Sequence, residues 1–330
     1  MSYSGRNGTT YGPSTTAPSN AGDYTASASF AGDANHDGSN DSKDYSITKA
    51  LVTATAGSGT ATYDGATKSP SACVVTGTFT GDLTCANNPA SVGPGAGTTT
   101  IYPVVSGAGQ SNFQITKVNG SYTINKATQT IVFGALANTL FGDPDFPVSA
   151  TASSGLAVSF SSQTTAKCTI SGSTVHIVAA GTCTIRASQA GDANYYAAPN
   201  VDQSLTIGAW NLTGFYQPVD MTTTATIVYN TVKGGSTVPF KFNVYAGSIE
   251  QASTSAVKSI QSQQFVCSAG YDADIPSTEL SATGGTVLRY DTTGRQFIYN
   301  WQTAKHAGDC YRVTMTAQDG STLFAYFKTK

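Results

Sequence analysis

The chain has 330 residues, of which 17 are basic and 19 acidic, giving a net charge of -2. With no lysine or arginine cluster it has little to neutralise a phosphate backbone, which argues against nucleic-acid binding. No apolar run approaches the ~20 residues that a membrane-spanning helix needs.

Serine (36) and threonine (49) make up a quarter of the chain, against ten leucines and two glutamates, Glu250 and Glu279. Strong helix formers are scarce while Thr, Val, Tyr and Gly abound, so the expected fold class is all-β. A hydrophobic fraction of 39%, spread in short runs, is enough to build cores and argues against wholesale disorder. The opening residues, MSYSGRNGTTYG, lack the basic and apolar regions of a signal peptide.

An internal repeat sets the organisation. Segment 29–50, SFAGDANHDGSNDSKDYSITKA, recurs at 188–209 as SQAGDANYYAAPNVDQSLTIGA, with one shift near its end. Each copy passes from a strand ending at Ala-Gly-Asp-Ala-Asn through a polar loop. It then enters a closing strand with apolar residues two apart, Tyr45/Ile47 and Leu205/Ile207. SYTINKA at 121–127 repeats that strand as Tyr122/Ile124. The expected domains are therefore 1–49, 50–127, 128–208 and a different 209–330. The first is too short for a sandwich, which needs ~7 strands and ~80–100 residues. It reads as the C-terminal half of a domain. The chain would then be a fragment of a longer one, the preferred reading, or another chain would supply the missing strands.

One motif in the first unit carries specific chemistry. Asp33, Asn35, Asp37, Asp41 and Asp44 place oxygen donors at loop positions 1, 3, 5, 9 and 12, with Gly38 at 6 and Ser39 at 7. That is the pattern of EF-hand and dockerin calcium loops, with Asp in place of the bidentate Glu. Two features oppose it. Position 8 is Asn40 instead of an apolar anchor, and Tyr45-Ser-Ile-Thr alternates like a strand. The equivalent loop at 192–203 has Tyr196 and Ala197 where Asp37 and Gly38 stand. A polar turn joining two strands is the alternative to a Ca²⁺ site.

The six cysteines fall two by two, with 11, 14 and 42 residues between neighbours. The absence of CxxC removes zinc-ribbon and thioredoxin-like readings. Of fifteen pairings, one pair per unit selects Cys73–Cys85, Cys168–Cys183 and Cys267–Cys310. Disulfides imply an oxidising, extracytoplasmic setting, and buried free thiols are the alternative.

The third unit shows a strand–turn rhythm. Lys167-Cys-Thr-Ile170, Thr174-Val-His-Ile-Val178 and Cys183-Thr-Ile-Arg186 are separated by Ser171-Gly172-Ser173 and Ala179-Ala180-Gly181. TAKCTISGSTVHIVAAGTCTIRAS resembles the group-two bacterial immunoglobulin-like domain, whose pattern ends in a Gly-Thr-x-x-Ile-x-Ala strand. The GDAN loop and the Tyr-x-Ile-x-Lys-Ala strands resemble the related "mostly bacterial" Ig-like repeats.

In the last unit Val238, Phe240, Phe242 and Val244 share one face of a strand, and Pro239, Lys241 and Asn243 the other. Tyr311, Val313 and Met315 alternate likewise with Arg312, Thr314 and Thr316. The quartet Pro239-Phe240-Lys241-Phe242, with GFYQPVD before it and GDCYRVTMTAQDGSTLFAYF after, resembles the PxKF domain of bacterial surface proteins across 209–330. That resemblance implies a β-sandwich without established chemistry. No Gly/Ser or Pro-rich linker separates the units, so stiffly coupled neighbours in an elongated array are expected.

No GxSxG, HExxH, P-loop or GxGxxG occurs, and His36, His176 and His306 lie in different units. His176, between Val175 and Ile177, is expected on a solvent face. Phe297, Tyr299 and Trp301 form a period-two aromatic stripe, expected to be core, with polysaccharide stacking as the other reading. Trp210 and Phe215-Tyr216 stand at the joint between units three and four. The expected function is a non-enzymatic structural or adhesive module of a bacterial extracellular or cell-surface protein. A carbohydrate- or protein-binding module, or a filament subunit completed by strand addition, stands as the alternative.

Overall fold

The computed structural model describes residues 1–222, 227–268, 276–280 and 287–330. These residues form two compact units, Met1–Gln129 with Ala190–Ala197, and Thr130–Gln189 with Ala198–Lys330. Every sheet draws its strands from one of four spans, 1–47, 50–125, 131–208 or 211–329. No helix among the described residues is long and apolar enough to cross a membrane.

In the first unit, Ser2–Arg6, Gly22–Phe30 and Ser39–Ile47 pair antiparallel in that order as a single sheet. Tyr24 is its one buried large side chain, flanked by Tyr45 at 5.7 Å and met edge-on by Tyr11 at 5.8 Å. The polar sequence of Ser39–Ile47 leaves that strand exposed except for half-buried Tyr45 and Ile47. The second repeat is a sandwich of two sheets. One is Val74–Gly77, Ala50–Thr55 and Phe113–Val118. The other is Gly59–Thr62, Gly120–Asn125, Gly97–Ser106 and Thr84–Asn88. Alternation puts Ile101, Tyr122 and Ile124 inward with Ala56 and Val92, and Val52, Leu83 and Phe113 close the other end.

In the second unit, the third repeat builds its strands and turns as its sequence predicts. Cys168–Ser171, Thr174–Ile177 and Gly181–Ser188 are strands, and Gly172 at φ 59 makes the tight turn that a side chain would strain. Cys168, Cys183, Val175, Ile185, Leu205 and Ile207 form the core. In the last sandwich Val238, Phe240, Phe242 and Val244 are buried, as are Tyr311, Val313 and Met315.

The sheets are not purely antiparallel. Ala50–Thr55 runs parallel to Phe113–Val118, Gly59–Thr62 to Gly120–Asn125, Thr139–Leu140 to Val201–Gly208, and Tyr229–Val232 to Thr322–Thr329. In all but the first span, an early strand thus lies beside a late one, closing the edge that the late strand would otherwise expose. All six cysteines are paired, as Cys73–Cys85, Cys168–Cys183 and Cys267–Cys310, with Cα separations of 5.3, 5.7 and 5.2 Å.

Candidate functional site

The donors of the calcium-like loop do not converge. Asp33 Oδ1 accepts the Asn35 N–H at 2.9 Å and lies 3.0 Å from His36 Nδ1, closing an Asx turn. These bonds hold the Asp33 carboxyl below its ordinary range, the Asn35 N–H being the main cause. Ser39, Asp41 and Asp44 belong to the strand Ser39–Ile47. A strand rises about 3.4 Å per residue, so Ser39 and Asp44 stand roughly 17 Å apart and point to opposite faces. Asp41 accepts the N–H of Ser42 at 2.8 Å, while Asp44 accepts the Thr25 hydroxyl at 2.7 Å and pairs with Arg6. In this structure the segment takes the form of a polar hairpin, the alternative to a wrapping Ca²⁺ loop. The early onset of the strand, already hinted by the Tyr45-Ser-Ile-Thr alternation, unwinds the pattern. No group of three His, Cys, Asp or Glu among the described residues is placed to hold a metal ion.

His176 is exposed beside Asp145, with Nδ1 2.8 Å from Oδ1, as its place in the alternation predicts. The aromatic stripe is core: Phe297 is 0%, Tyr299 5% and Trp301 4% exposed. Trp301 packs on Phe327 at 5.1 Å and Tyr311 at 5.6 Å, so it offers no platform to a sugar. Burial pushes the Tyr311 hydroxyl up to about 12, helped by a hydrogen bond to Asp309 at 3.1 Å.

One polar cluster has no forewarning in the alternation. Asn243 is expected outward with Lys241, yet it is 5% exposed. Its Oδ1 accepts the Tyr216 hydroxyl and its Nδ2 donates to Glu250, both at 2.8 Å. Glu250 also accepts the Tyr290 hydroxyl at 2.8 Å and the Arg295 guanidinium at 2.6 Å. These bonds hold the Glu250 carboxyl below its ordinary range, with Tyr290 the largest cause and Arg295 next. Both side-chain polar atoms of Asn243 and both carboxylate oxygens of Glu250 are bonded to protein neighbours, which marks a structural lock for the turn around Arg295 at φ 47.

The ends of the repeats form a second recurring arrangement. The three repeats align by register: Gly22 faces Ile47, Gly97 faces Ile124 and Gly181 faces Ile207. Each glycine opens the long strand and follows an alanine, Ala21, Ala96 or Ala180. Asn112 Oδ1 accepts the Ala21 N–H at 2.9 Å, and its Nδ2 donates to Asn20 Oδ1 at 2.9 Å. In Ala190–Ala197, Asn194 Oδ1 takes the equivalent Ala96 N–H at 2.9 Å. The Asn194 carbonyl accepts the Ala127 N–H, and Tyr196 N–H donates to the Ala127 carbonyl, both at 2.9 Å. Lys126 Nζ donates to the Asp192 carbonyl at 2.6 Å, and Tyr195 meets Tyr63 edge-on at 5.3 Å.

Past Ile207 a different device serves. Trp210 N–H donates to Asp319 at 2.6 Å, its Nε1 donates to the Phe141 carbonyl at 2.7 Å, and its carbonyl accepts the Ser321 hydroxyl at 3.4 Å. The repeated GDAN sequence was the available signal for Asn194, whereas nothing in the sequence singles out Asn112.

No family model and no curated protein matches the chain. Among solved structures, an I-band fragment of titin aligns over 84% of this chain and 96% of its own at 12% identity, TM-score 0.24. Sidekick-1 immunoglobulin domains 1-5 align over 96% and 67% at 13% identity, TM-score 0.29. The S-layer protein SbsC, domains 4 and 5, aligns over 61% and 96% at 11% identity, TM-score 0.20. The all-β, Ig-like description of this chain rests on its own sheets and their strand order.

Proposed function

We propose that this chain is a non-enzymatic scaffold module of a bacterial secreted or cell-surface protein, a spacer that presents or connects other modules. The observation that carries the reading is the construction of the repeat ends. Only two residues separate Ile47 from Ala50, and two separate Gly208 from Asn211. The neighbouring backbone groups are tied by Asn112, Asn194 and Trp210 in place of a flexible linker. The apolar and aromatic side chains of the described strands go largely into the sandwiches' own cores, with Phe30, Tyr102 and Val104 among the exceptions.

Three disulfides support an oxidising, extracytoplasmic location. The group-two and PxKF resemblances support the bacterial surface assignment, with Pro239-Phe240-Lys241-Phe242 inside the strand Thr237–Ala246. Small-angle scattering of the full chain tests the spacer. The reading expects one elongated particle whose profile is insensitive to salt. A spread of interdomain arrangements, equal in the native chain and in Asn194→Ala, would overturn it.

A further inference from the structure

The two Ala-Gly-Asp-Ala-Asn segments fold into the same turn. Asp33 N–H donates to the His36 carbonyl at 2.9 Å, and Asp192 N–H to the Tyr195 carbonyl at 3.1 Å. Asp33 Oδ1 accepts the Asn35 N–H at 2.9 Å, and Asp192 Oδ1 the Asn194 N–H at 2.7 Å. Gly32 and Gly191 take φ 87 and φ 79, and a Cβ on either would strike the backbone of its own turn. Only one turn is engaged. Asn194 and Tyr196 hold Ala96 and Ala127, whereas residues 33–38 are all exposed.

We propose that loop 31–38 is a docking element whose partner is the closing end of a further Ig-like repeat of this same type, set in tandem ahead of it. Asn35 Oδ1 would take the N–H of an alanine preceding the glycine of the long strand, as Asn194 takes that of Ala96. The Asn35 carbonyl and the Asp37 N–H would bridge the residue three places beyond the closing isoleucine, as Asn194 and Tyr196 bridge Ala127. The repeat ends within this chain already carry partners: Ala21 has Asn112, Ala127 has Asn194 and Tyr196, and Trp210 has Asp319 and Ser321. In a second copy, therefore, each of these described ends has at least one of its two docking points already taken. His36 and Asp37 replace Tyr195 and Tyr196, so this joint exchanges an aromatic edge for a polar contact while keeping the backbone bonds.

The inference rests on the scaffold reading and is tested by amide hydrogen exchange on two forms of the full chain. In the first, Tyr195→His, Tyr196→Asp and Ala197→Gly give the engaged loop the residues of the exposed one. Protection at the Ala96 and Ala127 amides is expected to stay within about threefold, while Asn194→Ala lowers it about fivefold to tenfold. Loss in the triple variant as large as in Asn194→Ala overturns the proposal. In the second, a copy of residues 50–127 is joined ahead of Met1. The Asp37 amide is expected to slow about fivefold or more, and Asn35→Ala to restore it. An unchanged Asp37 rate in a chain whose added repeat is folded also overturns it. Either failure leaves the scattering expected of the spacer intact, so the two readings fail separately.

Discussion

The N-terminal sheet and the C-terminal sandwich share one strand grammar, alternating short polar and apolar side chains, and reach very different cores. Among the described residues of 211–329, two five-stranded sheets enclose a main core of sixteen buried residues, with Phe240, Phe242, Phe297 and Phe327 fully enclosed. In 1–47 the same alternation runs through a single sheet, and only Tyr24 is enclosed among its large side chains. Period-two patterning thus specifies which face a residue takes. Burial requires a second layer, and stability follows burial.

The sharpest way to break this comparison is to remove one large side chain from the better-packed region. Phe242→Ala leaves a cavity among Phe215, Phe297 and their neighbours and is expected to cost about 3–5 kcal/mol. The fluorescence unfolding transition reporting Trp301 should move to lower denaturant by that amount. A cost under about 1 kcal/mol would mean that the core reorganises around the gap and is less tightly specified than its packing indicates. Next in size is the disulfide of the third repeat. It spans 15 residues between two wholly buried cysteines. Replacing both with alanine should lose about 3 kcal/mol through chain entropy, read as a lowered thermal midpoint for that repeat. An unchanged midpoint would show that the strands Cys168–Ser171 and Gly181–Ser188 need no covalent tie.

In the N-terminal sheet the expected effects are smaller and local. The Tyr24 hydroxyl donates to the Asn20 carbonyl at 2.7 Å, so Tyr24→Phe should cost about 1 kcal/mol. Amide exchange in Gly22–Phe30 should quicken about fivefold while the last sandwich is untouched. Coupled loss in both would erase the distinction drawn between the two regions.

Most of this architecture was legible because local patterns coincide with burial. The alternation at Val238–Val244 and the paired cysteines depend only on period and on one pair per repeat, and both are realised. Two features of the structure have non-local causes. Asn243 obeys the strand period yet is covered, because Tyr216 and Arg295 reach it from 27 and 52 residues away and Glu250 from the adjoining hairpin strand. The loop at 33–44 has calcium-site spacing, but spacing implies convergence only if the chain curls, and pairing with Gly22–Phe30 straightens it from Ser39 onward. Asn112 was invisible for a third reason: a single asparagine in a polar loop has no pattern until Ala21 is seen opposite.

The finest probe of the comparison is acid, since the last sandwich holds Glu250 by hydrogen bonds from Tyr290, Arg295 and Asn243, while in the N-terminal sheet Asp23 takes them from Ser46 and Asn7. Hydrogen bonds from Tyr290, Arg295 and Asn243 lower the Glu250 pKa in the fold, outweighing the opposing effect of burial. A carboxyl with a depressed folded pKa adds stability that is fully present above its unfolded value, about 4.3, and lost as pH falls through the folded one. The Trp301 transition of the native chain should therefore weaken below about pH 4, and in Glu250→Gln that acid-dependent part should shrink. Arg295→Gly suits φ 47 and removes only the ion pair, so it should keep the part of the dependence that Tyr290 and Asn243 supply. If Glu250→Gln unfolds in acid along the native curve, the protons responsible bind elsewhere and the cluster is only a turn lock. A shallower curve would make it the acid-sensitive element of the most deeply packed region of the chain.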